Sequence, residues 1–192
     1  MLHEIAIIGR GGQGVVSMAK MMAYAALMEG KHGSAIPKYG AERRGAPVIS
    51  SFRISDEPLR IHSQIRKPDH MIILEIGALP KLIPPQPLKD HSIVAVNYPS
   101  IPNIMARYNP HTVAHLDAAA LARKVGLVRS GIPITSVPMM AAFAKASGLL
   151  QQESLVKAVP KLVKSEEMIE INIEAIKRAF EETEVKKFDR IE

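Results

Sequence analysis

The chain has 192 residues and a formal net charge of +6, with 47% hydrophobic and 23% charged residues, values typical of one globular domain. It has no cysteine, so it cannot form a disulfide, hold an iron–sulfur cluster through thiolates or use a thiol nucleophile. Its basic residues are scattered and only 4% of residues are aromatic, which argues against a nucleic-acid surface. We therefore expect a single domain over residues 1–192 that binds no nucleic acid.

The sequence shows neither a basic region followed by an apolar stretch at its start nor a run of about eighteen apolar residues that could span a bilayer. We therefore expect a cytoplasmic protein without a membrane partner. If the chain belongs to a redox enzyme, the absence of cysteine means that the electron carriers lie on other chains.

The N-terminal segment is an apolar run that leads into a glycine cluster and then into a stretch with helical spacing. Three of these glycines fit the G-x-G-x-x-G pattern that joins a strand to a helix in dinucleotide-binding folds. Glycines let the backbone turn sharply here, and the N–H groups at the start of the following helix favour an anion. The candidate binding residues are Gly9, Arg10, Gly11, Gly12, Gln13 and Gly14.

The ligand of this loop stays open at the level of sequence. A dinucleotide site also needs an acidic residue about twenty positions later, at the end of the second strand. No carboxylate lies between Glu29 and Glu42, and no Lys-Ser or Lys-Thr pair follows the glycines as in a phosphate loop. The alternative is a tight turn without a ligand, in which Gln13 closes the loop on itself instead of ordering a phosphate.

Hydrophobic periodicity predicts the remaining elements. In chain order they are a helix from Val15 to about Gly30 or Gly33, strands at 34–37, 48–54, 59–65, 71–74, 92–96 and 111–117, and helices at 118–125, 139–146, 153–163 and 166–182. The strands at 48–54 and 59–65 flank a turn, so they are expected to form an antiparallel hairpin. The basic tail at 186–187 is interpreted as either disordered or a docking strand. These elements predict an α/β fold, a three-layer α/β/α sandwich with a mixed sheet.

The segment Glu42-Arg43-Arg44-Gly45 is the second candidate site. Two guanidinium groups beside a glycine can bind a phosphate or a carboxylate through paired hydrogen bonds. Because adjacent side chains diverge, Arg43 or Arg44 could bind the anion while the other pairs with Glu42. The alternative is a salt-bridge cluster with no ligand.

No catalytic constellation is visible in the sequence. His111 and His115 have a spacing that could share a metal ion on a helix, but on the predicted strand they lie roughly 13 Å apart. No acid–base pair or nucleophile–base pair is recognisable either. We therefore expect no catalytic residue and no metal ligand in this chain.

The loop Gly9–Gly14 resembles the opening of the γ chain of 2-oxoacid:ferredoxin oxidoreductases, the pyruvate and branched-chain oxoacid enzymes. The resemblance continues through 38–48 and 52–54, and more faintly through 134–136 and 141–148. Ala46 stands where a second glycine is commoner, and an alanine there is found in the pyruvate-type subset. The segment 136–140 departs from the family's more usual turn.

The resemblance implies a γ subunit of a thiamine-diphosphate-dependent enzyme that oxidatively decarboxylates a 2-oxoacid, with pyruvate favoured, to an acyl-CoA. It implies that thiamine diphosphate, with Mg²⁺, lies between α and β chains, and that a δ chain carries iron–sulfur clusters toward ferredoxin. This chain would bind no cofactor alone and would serve assembly of a hetero-oligomer, with a contact to coenzyme A. The alternative function is a stand-alone nucleotide-binding oxidoreductase or regulator that uses the same loop.

Overall fold

The computed structural model describes residues 1–37, 45–60, 63 and 65–188. Within those residues the chain forms nine strands and six helices. They are β1 (Leu2–Arg10), α1 (Val15–Met28), β2 (His32–Pro37), β3 (Pro47–Ser55), β4 (His70–Ile73), α2 (Leu79–Leu82), β5 (Ile93–Asn97), β6 (Thr112–Leu116), α3 (Ala118–Lys124), β7 (Val128–Arg129), β8 (Ile132–Pro133), α4 (Ser136–Ser147), α5 (Gln152–Leu162), α6 (Glu166–Glu182) and β9 (Glu184–Lys187). Short 3-10 turns at Ile76–Ala78 and Asn103–Arg107 follow β4 and β5.

Seven strands form one sheet in the order β2-β3-β1-β4-β5-β6-β9, while β7 and β8 form a separate small hairpin. Strands β1, β4, β5 and β6 are parallel to their neighbours within this group. Strand β3 is antiparallel to both β1 and β2, and β9 is antiparallel to β6. The predicted α/β class with a mixed sheet is confirmed. Of the two interpretations of the basic tail, the docking strand is correct, because Lys186 and Lys187 lie in β9.

The predicted hairpin between residues 48–54 and 59–65 is wrong. Strand β3 has β2 on one side and β1 on the other, so both of its hydrogen-bonding edges are occupied. Residues 59, 60, 63 and 65 belong to no strand, and residues 61, 62 and 64 lie outside the described part. Alternating polarity over a few residues therefore did not identify the strands that pair with β3.

The helix bounds agree closely with the predictions, and the largest shift has a physical cause. Helix α4 begins at Ser136, three residues before the predicted start, with Pro138 inside its first turn. A proline is tolerated there because the first N–H groups of a helix have no partner within the helix. Helix α6 begins as predicted, and Ser165 Oγ accepts a hydrogen bond from the Met168 N–H.

The two faces of the sheet are covered unequally. Helices α1, α3, α4, α5 and α6 pack on one face, which we call the helical face, over side chains such as Ile5, Ile7 and Leu74. The other face, the loop face, buries Ile8 and Ile73 under the short α2, the 3-10 turns and the connecting loops. The sandwich therefore has one thick and one thin outer layer. No helix of the described residues is both long and apolar enough to cross a membrane.

The neighbouring strands β1 and β4 send their connections to opposite faces. The chain leaves β1 for α1 on the helical face, and it leaves β4 for the 3-10 turn and α2 on the loop face. Such a topological switch point opens a crevice beyond the carboxyl ends of the strands, where open α/β sheets bind ligands. Strand β1 ends at Arg10, so the glycine loop lies at this crevice.

A buried arginine holds the opposite end of β1. Arg53 on β3 is 1% exposed, and its Nε and Nη2 lie 2.9 and 2.8 Å from Glu4 Oε1. Its Nη1 donates to the carbonyl of Ser63 at 2.6 Å. The Arg53 side chain thus connects the backbone of Ser63 to the sheet.

Candidate anion-binding site at the glycine loop

The glycine loop is closed by hydrogen bonds between its two ends. The Arg10 N–H donates to Gln13 Oε1 at 2.7 Å, and the Gln13 N–H donates to the Arg10 carbonyl at 3.1 Å. The backbone takes positive φ at Gly12 (96°) and Gly14 (81°), which favours glycine at both positions. Gln13 therefore performs one of its two predicted roles, the closing of the loop.

Two of the glycines also allow close packing. A Cβ on Gly9 would lie 2.8 Å from Val15 Cγ2, and a Cβ on Gly14 would lie 2.7 Å from Ser136 Oγ. Both distances are too short for ordinary contact, so the loop approaches α1 and α4 only because side chains are missing. The turn interpretation accounts for Gly9 without any ligand.

The N-termini of α1 and α4 meet at this corner, through the approach of Gly14 to Ser136. Neither helix start has a side-chain cap or an acidic residue in its first turn. Each helix N-terminus carries a partial positive charge and unpaired N–H donors. Thr135, which precedes α4, has a buried hydroxyl without a hydrogen-bond partner among the described residues. The corner therefore favours a negatively charged or acceptor-rich group.

Arg10 adds a cation at the same corner. Its Nη1 donates to the Gly45 carbonyl at 3.1 Å, while its Nε stays 3.9 Å from Glu75 Oε2. The side chains of Arg10 and Glu75 are 35% and 34% exposed. An ion pair this long and this exposed contributes little, so Arg10 can exchange it for a ligand.

Glu75 is the residue that sequence reasoning missed. It follows β4, accepts a hydrogen bond from the Gly77 N–H at 3.3 Å and faces Arg10 across the switch point. The signal was present, because a carboxylate directly after a buried parallel strand lies at the edge where ligands bind. Glu75 faces Arg10 because β1 and β4 are neighbouring strands, and the sequence did not show that pairing.

The surface at the loop is a shallow groove of about 190 Å³. It is lined by Arg10, Gly11, Gly12, Gly14, Val15, Val16, Ser17 and Val48. Pockets that enclose a drug-sized ligand measure about 300–1,000 Å³. The groove therefore fits a phosphate-sized group, and a larger molecule bound there would extend beyond it.

The second predicted site lies outside the described residues, since Arg43 and Arg44 belong to the segment 38–44. Their roles stay predictions. The backbone just after them does reach the loop: the Gly11 N–H donates to the Ala46 carbonyl at 2.9 Å, and the Gly45 N–H donates to the Gly11 carbonyl at 3.2 Å. The chain therefore returns to the glycine loop immediately after Arg44.

The possible metal ligands of this chain are its histidine and carboxylate side chains. It has no cysteine, and the described residues include no group of three or more His, Asp or Glu side chains that could hold a metal ion. His111 Nδ1 lies 3.0 Å from Thr112 Oγ1, whereas His115 Nε2 lies 3.5 Å from Glu184 Oε2. The two histidines thus have separate partners.

Comparison with known proteins decides the family. Residues 4–182 match the family described as pyruvate ferredoxin/flavodoxin oxidoreductase. The chain belongs to this family. The resemblance noted in the glycine loop is thereby confirmed.

Individual members of the oxidoreductase family support the match along nearly the whole chain. The pyruvate/ketoisovalerate oxidoreductases common subunit gamma of Pyrococcus furiosus is 40% identical over 185 residues, which are 95% of this chain and 97% of that protein. The pyruvate oxidoreductase subunit PORC of Thermotoga maritima has the same fold, with a TM-score of 0.81, 28% identity and coverage of 97% of this chain and 99% of that one.

A more distant structure shows the same fold inside a larger protein. The 2-oxoglutarate:ferredoxin oxidoreductase of Magnetococcus marinus, solved with 2-oxoglutarate, coenzyme A and succinyl-CoA, aligns with a TM-score of 0.73 at 17% identity. The alignment covers 93% of this chain but 30% of that one. At this identity the likeness concerns the fold alone.

Proposed function

We propose that this chain is the γ subunit of a thiamine-diphosphate-dependent 2-oxoacid:ferredoxin oxidoreductase that converts pyruvate to an acyl-CoA. The family match and the names of the Pyrococcus furiosus and Thermotoga maritima relatives support this proposal. In the proposed cytoplasmic hetero-oligomer, α and β chains hold thiamine diphosphate with Mg²⁺, and a δ chain carries iron–sulfur clusters that reduce ferredoxin. This chain is a non-catalytic member of the complex.

Its proposed contribution to the reaction is to bind the phosphates of coenzyme A at the glycine loop. The observation that carries this role is the uncapped start of α1 at Gly14, beside Arg10, at the switch point between β1 and β4. Backbone N–H groups and guanidiniums are donors without acceptor capacity, so together they suit a negatively charged group.

The shallow groove sets a limit on this binding mode. With about 190 Å³ it holds a phosphate group, and the rest of coenzyme A lies along the carboxyl edge of the sheet or against a partner subunit. Arg43 and Arg44 would add cations from the segment that returns to the loop at Gly45. This chain therefore positions coenzyme A, while the reacting centres belong to other chains.

The test is the KM for coenzyme A of the complex reassembled with variants of this chain. A charge-assisted hydrogen bond contributes about 1.5–3 kcal/mol, so loss of one should raise the KM roughly tenfold or more. The variants are Arg10→Ala, Arg43→Ala and Arg44→Ala. The matched control is Arg178→Ala on α6, which removes an exposed arginine that pairs with Glu174 of the same helix.

Gel filtration of each reassembled complex shows whether assembly is intact. If all three arginine variants assemble and show unchanged kinetics, the glycine cluster is a tight turn without a ligand.

The subunit assignment has its own test, which is purification of the native protein. It should bring down cysteine-rich and thiamine-binding chains, and a native protein that runs alone would contradict the assignment.

A further inference from the structure

The seven-stranded sheet ends in two edge strands, β2 and β9, and the two edges differ in their side chains. Strand β9 carries Lys186 and Lys187, and all of its residues are exposed. Lysines on an edge strand keep other chains from pairing with it. Strand β2, with the sequence HGSAIP, has no Lys, Arg, Asp or Glu. The β2 edge therefore lacks the protection that the β9 edge has.

The direction of the backbone groups of β2 follows from the strands beside it. The Glu4 N–H donates to Asp69 Oδ2, and the Glu4 carbonyl accepts from the Asp69 N–H, both at 2.8 Å, so the polar groups of Glu4 point toward β4. Because backbone groups alternate between the two sides of a strand, those of His3 point toward β3, where His3 pairs with Ile54. In β3 the polar groups of Ile54 accordingly point toward β1, and those of Arg53 point toward β2.

The outer edge of β2 offers the backbone groups of two residues. Arg53 pairs with Ser34, so the polar groups of Ser34 point toward β3. Those of Gly33 and Ala35 therefore point out of the sheet, where the described residues give them no partner. Pro37 holds the next outward position, where a missing N–H removes no bond to β3. The N–H and carbonyl groups of Gly33 and Ala35 are thus open to another strand.

Helix α1 places apolar side chains beside this edge. A Cβ on Gly33 would lie 2.8 Å from Ala23 Cα, so α1 packs directly against β2. Leu27 follows Ala23 by one helical turn and lies on the same side of α1. It is 58% exposed, and Tyr24 is 39% exposed. We call Tyr24, Leu27, Gly33 and Ala35 the edge surface, which joins an open strand edge to an apolar surface in the layer above it.

The edge surface fits a second copy of this chain better than an added peptide strand. A peptide strand would pair with Gly33 and Ala35 in the plane of the sheet and leave Leu27 exposed, because α1 lies in the layer above the sheet. A second copy related by a twofold axis brings its own β2 and its own α1 at the same heights. Both layers of the edge surface are then covered.

The register of such a contact follows from the same backbone pattern. With Ser34 of each copy on the twofold axis, Gly33 of one copy lies opposite Ala35 of the other, and these residues exchange both of their N–H···O bonds. Lys31, the cation before β2, brings little repulsion, because its Nζ bonds to Glu29 Oε2 and to the Leu149 carbonyl, each at 2.8 Å.

We propose that the edge surface is a homodimer contact, in which two copies of this chain join their sheets through antiparallel β2 strands and cover Leu27 between their α1 helices. This contact goes beyond the proposed function, since it involves neither the glycine loop nor its ligand. Each assembled complex then contains at least two copies of this chain.

The first test is a single cysteine at the twofold axis, because the chain has no cysteine of its own. Opposite residues that do not exchange hydrogen bonds lie about 4.5 Å apart at Cα in an antiparallel pair, a separation that a disulfide spans. Ser34→Cys should therefore form a disulfide-linked homodimer on mild oxidation, both in the purified chain and in the reassembled complex, as shown by non-reducing electrophoresis. Val185→Cys, an exposed position on the β9 edge, is the matched control and should stay unlinked.

The second test is the dimer dissociation constant of the purified chain, measured by sedimentation velocity against a monomer mass of 21.0 kDa. Ala35→Pro removes an outward N–H without removing a bond to β3, and proline is tolerated at such edge positions. Leu27→Glu puts a charge into the apolar part of the contact. Each variant should raise the dissociation constant roughly tenfold or more.

The controls repeat both changes elsewhere on the chain. The Phe188 N–H donates to the His111 carbonyl at 2.8 Å, so the polar groups of Val185, three positions earlier, point away from β6. Val185→Pro thus removes an outward N–H from the β9 edge. Ile132→Glu puts a carboxylate at an apolar residue that is 49% exposed on the hairpin of β7 and β8. Both controls should leave the dissociation constant within about twofold of the wild type.

The outcomes decide between the possible occupants of the edge surface. A purified chain that stays monomeric, together with Ser34→Cys that stays unlinked in the complex, would overturn the proposal. A dimer that Ala35→Pro and Leu27→Glu do not weaken would place the contact elsewhere and overturn it as well. Ser34→Cys that links to a different subunit would assign the β2 edge to that subunit instead of a second copy. If Ala35→Pro does not fold, as judged by circular dichroism, Leu27→Glu and Ser34→Cys decide in its place.

Discussion

Strand β1 carries an arginine–glutamate pair at each end, and the two pairs differ in burial and in geometry. At its start, Arg53 is 1% exposed and its Nη2 lies 2.8 Å from Glu4 Oε1. At its end, Arg10 and Glu75 are each about one-third exposed, with 3.9 Å between Arg10 Nε and Glu75 Oε2. The same two residue types therefore occur in two different environments on one strand.

The difference separates a structural contact from a binding group. A buried guanidinium has lost its water and must keep its partners, so removing either member of such a pair is strongly destabilising. An exposed pair contributes little to stability because water competes with it. Arg53 must consequently keep its bonds to Glu4 and the Ser63 carbonyl, whereas Arg10 can exchange its partner for a ligand.

The largest expected effect is at the buried pair. Arg53→Met keeps most of the side-chain bulk but leaves Glu4 and the Ser63 carbonyl without their donor, so we expect a loss of about 3 kcal/mol in the free energy of unfolding. Urea unfolding measures this quantity directly. Arg10→Met, the same change at the exposed pair, should cost well under 1 kcal/mol. An equal loss in the free energy of unfolding for Arg53→Met and Arg10→Met would contradict the distinction between a structural and a binding arginine.

The next largest effect is a loss of folding stability at low pH, caused by His70 at the amino edge of the sheet. Burial lowers the pKa of His70 to about 4, and the neighbouring His3 and Lys89 act in the same direction against Asp69. His70 Nδ1 accepts a hydrogen bond from the Ile93 N–H at 3.1 Å, which requires the neutral ring. Because the pKa is about 6.5 in the unfolded chain, this stability is complete above pH 6.5 and is lost as the pH falls toward 4.

At pH 5 the loss attributable to His70 should be about 2 kcal/mol relative to pH 7, as measured by urea unfolding at the two pH values. His70→Asn keeps an acceptor for the Ile93 N–H without a titratable ring, so its stability should depend less on pH across this range. His91→Asn is the control, since His91 is an exposed residue with φ of 60° that asparagine tolerates. It should retain the acid sensitivity of the wild type.

The local elements of this fold could be predicted because each depends on nearby residues. The loop Gly9–Gly14, the start of α6 after Ser165 and the end of α4 at Gly148 all follow from glycine conformation, capping or periodicity. Strand pairing did not follow, and the wrong hairpin shows why. Pairing of β3 with β1 and β2 depends on contacts between residues far apart in sequence. Alternating polarity over seven residues carries no information about such contacts.

The candidate site divides in the same way. Arg10 and Gln13 were predicted as site residues, because they sit inside a recognisable motif. Glu75 was not, since it follows an ordinary strand end and gains its meaning only when β1 and β4 lie side by side. The distinct roles of Arg53 and Arg10 also depend on burial, which differs far more than their sequence neighbourhoods suggest.

A smaller effect distinguishes two glycines of the loop. Gly12→Ala and Gly14→Ala each place a side chain at positive φ, which costs about 1 kcal/mol. A Cβ at Gly12 would meet no atom within 4 Å, whereas a Cβ at Gly14 would meet Ser136 Oγ at 2.7 Å. Thermal unfolding should therefore show Gly14→Ala to be the less stable variant. Equal melting temperatures would mean that α4 does not press against the loop.

The smallest expected effect is the coupling between Arg10 and Glu75, measured by a double-mutant cycle in urea with Arg10→Ala, Glu75→Ala and the double variant. With 3.9 Å between Arg10 Nε and Glu75 Oε2 and both side chains about one-third exposed, we expect less than about 0.5 kcal/mol, decreasing further as salt screens the charges. The same cycle on Glu4 and Arg53 should give several times more, because the Arg53 side chain is only 2% exposed. A weak coupling is what a binding arginine needs, since a ligand must displace Glu75 at little cost. A coupling energy above about 1 kcal/mol that does not decrease with salt would show that Arg10 has a structural role like that of Arg53. Arg10 would then not be available to bind an anion at the glycine loop.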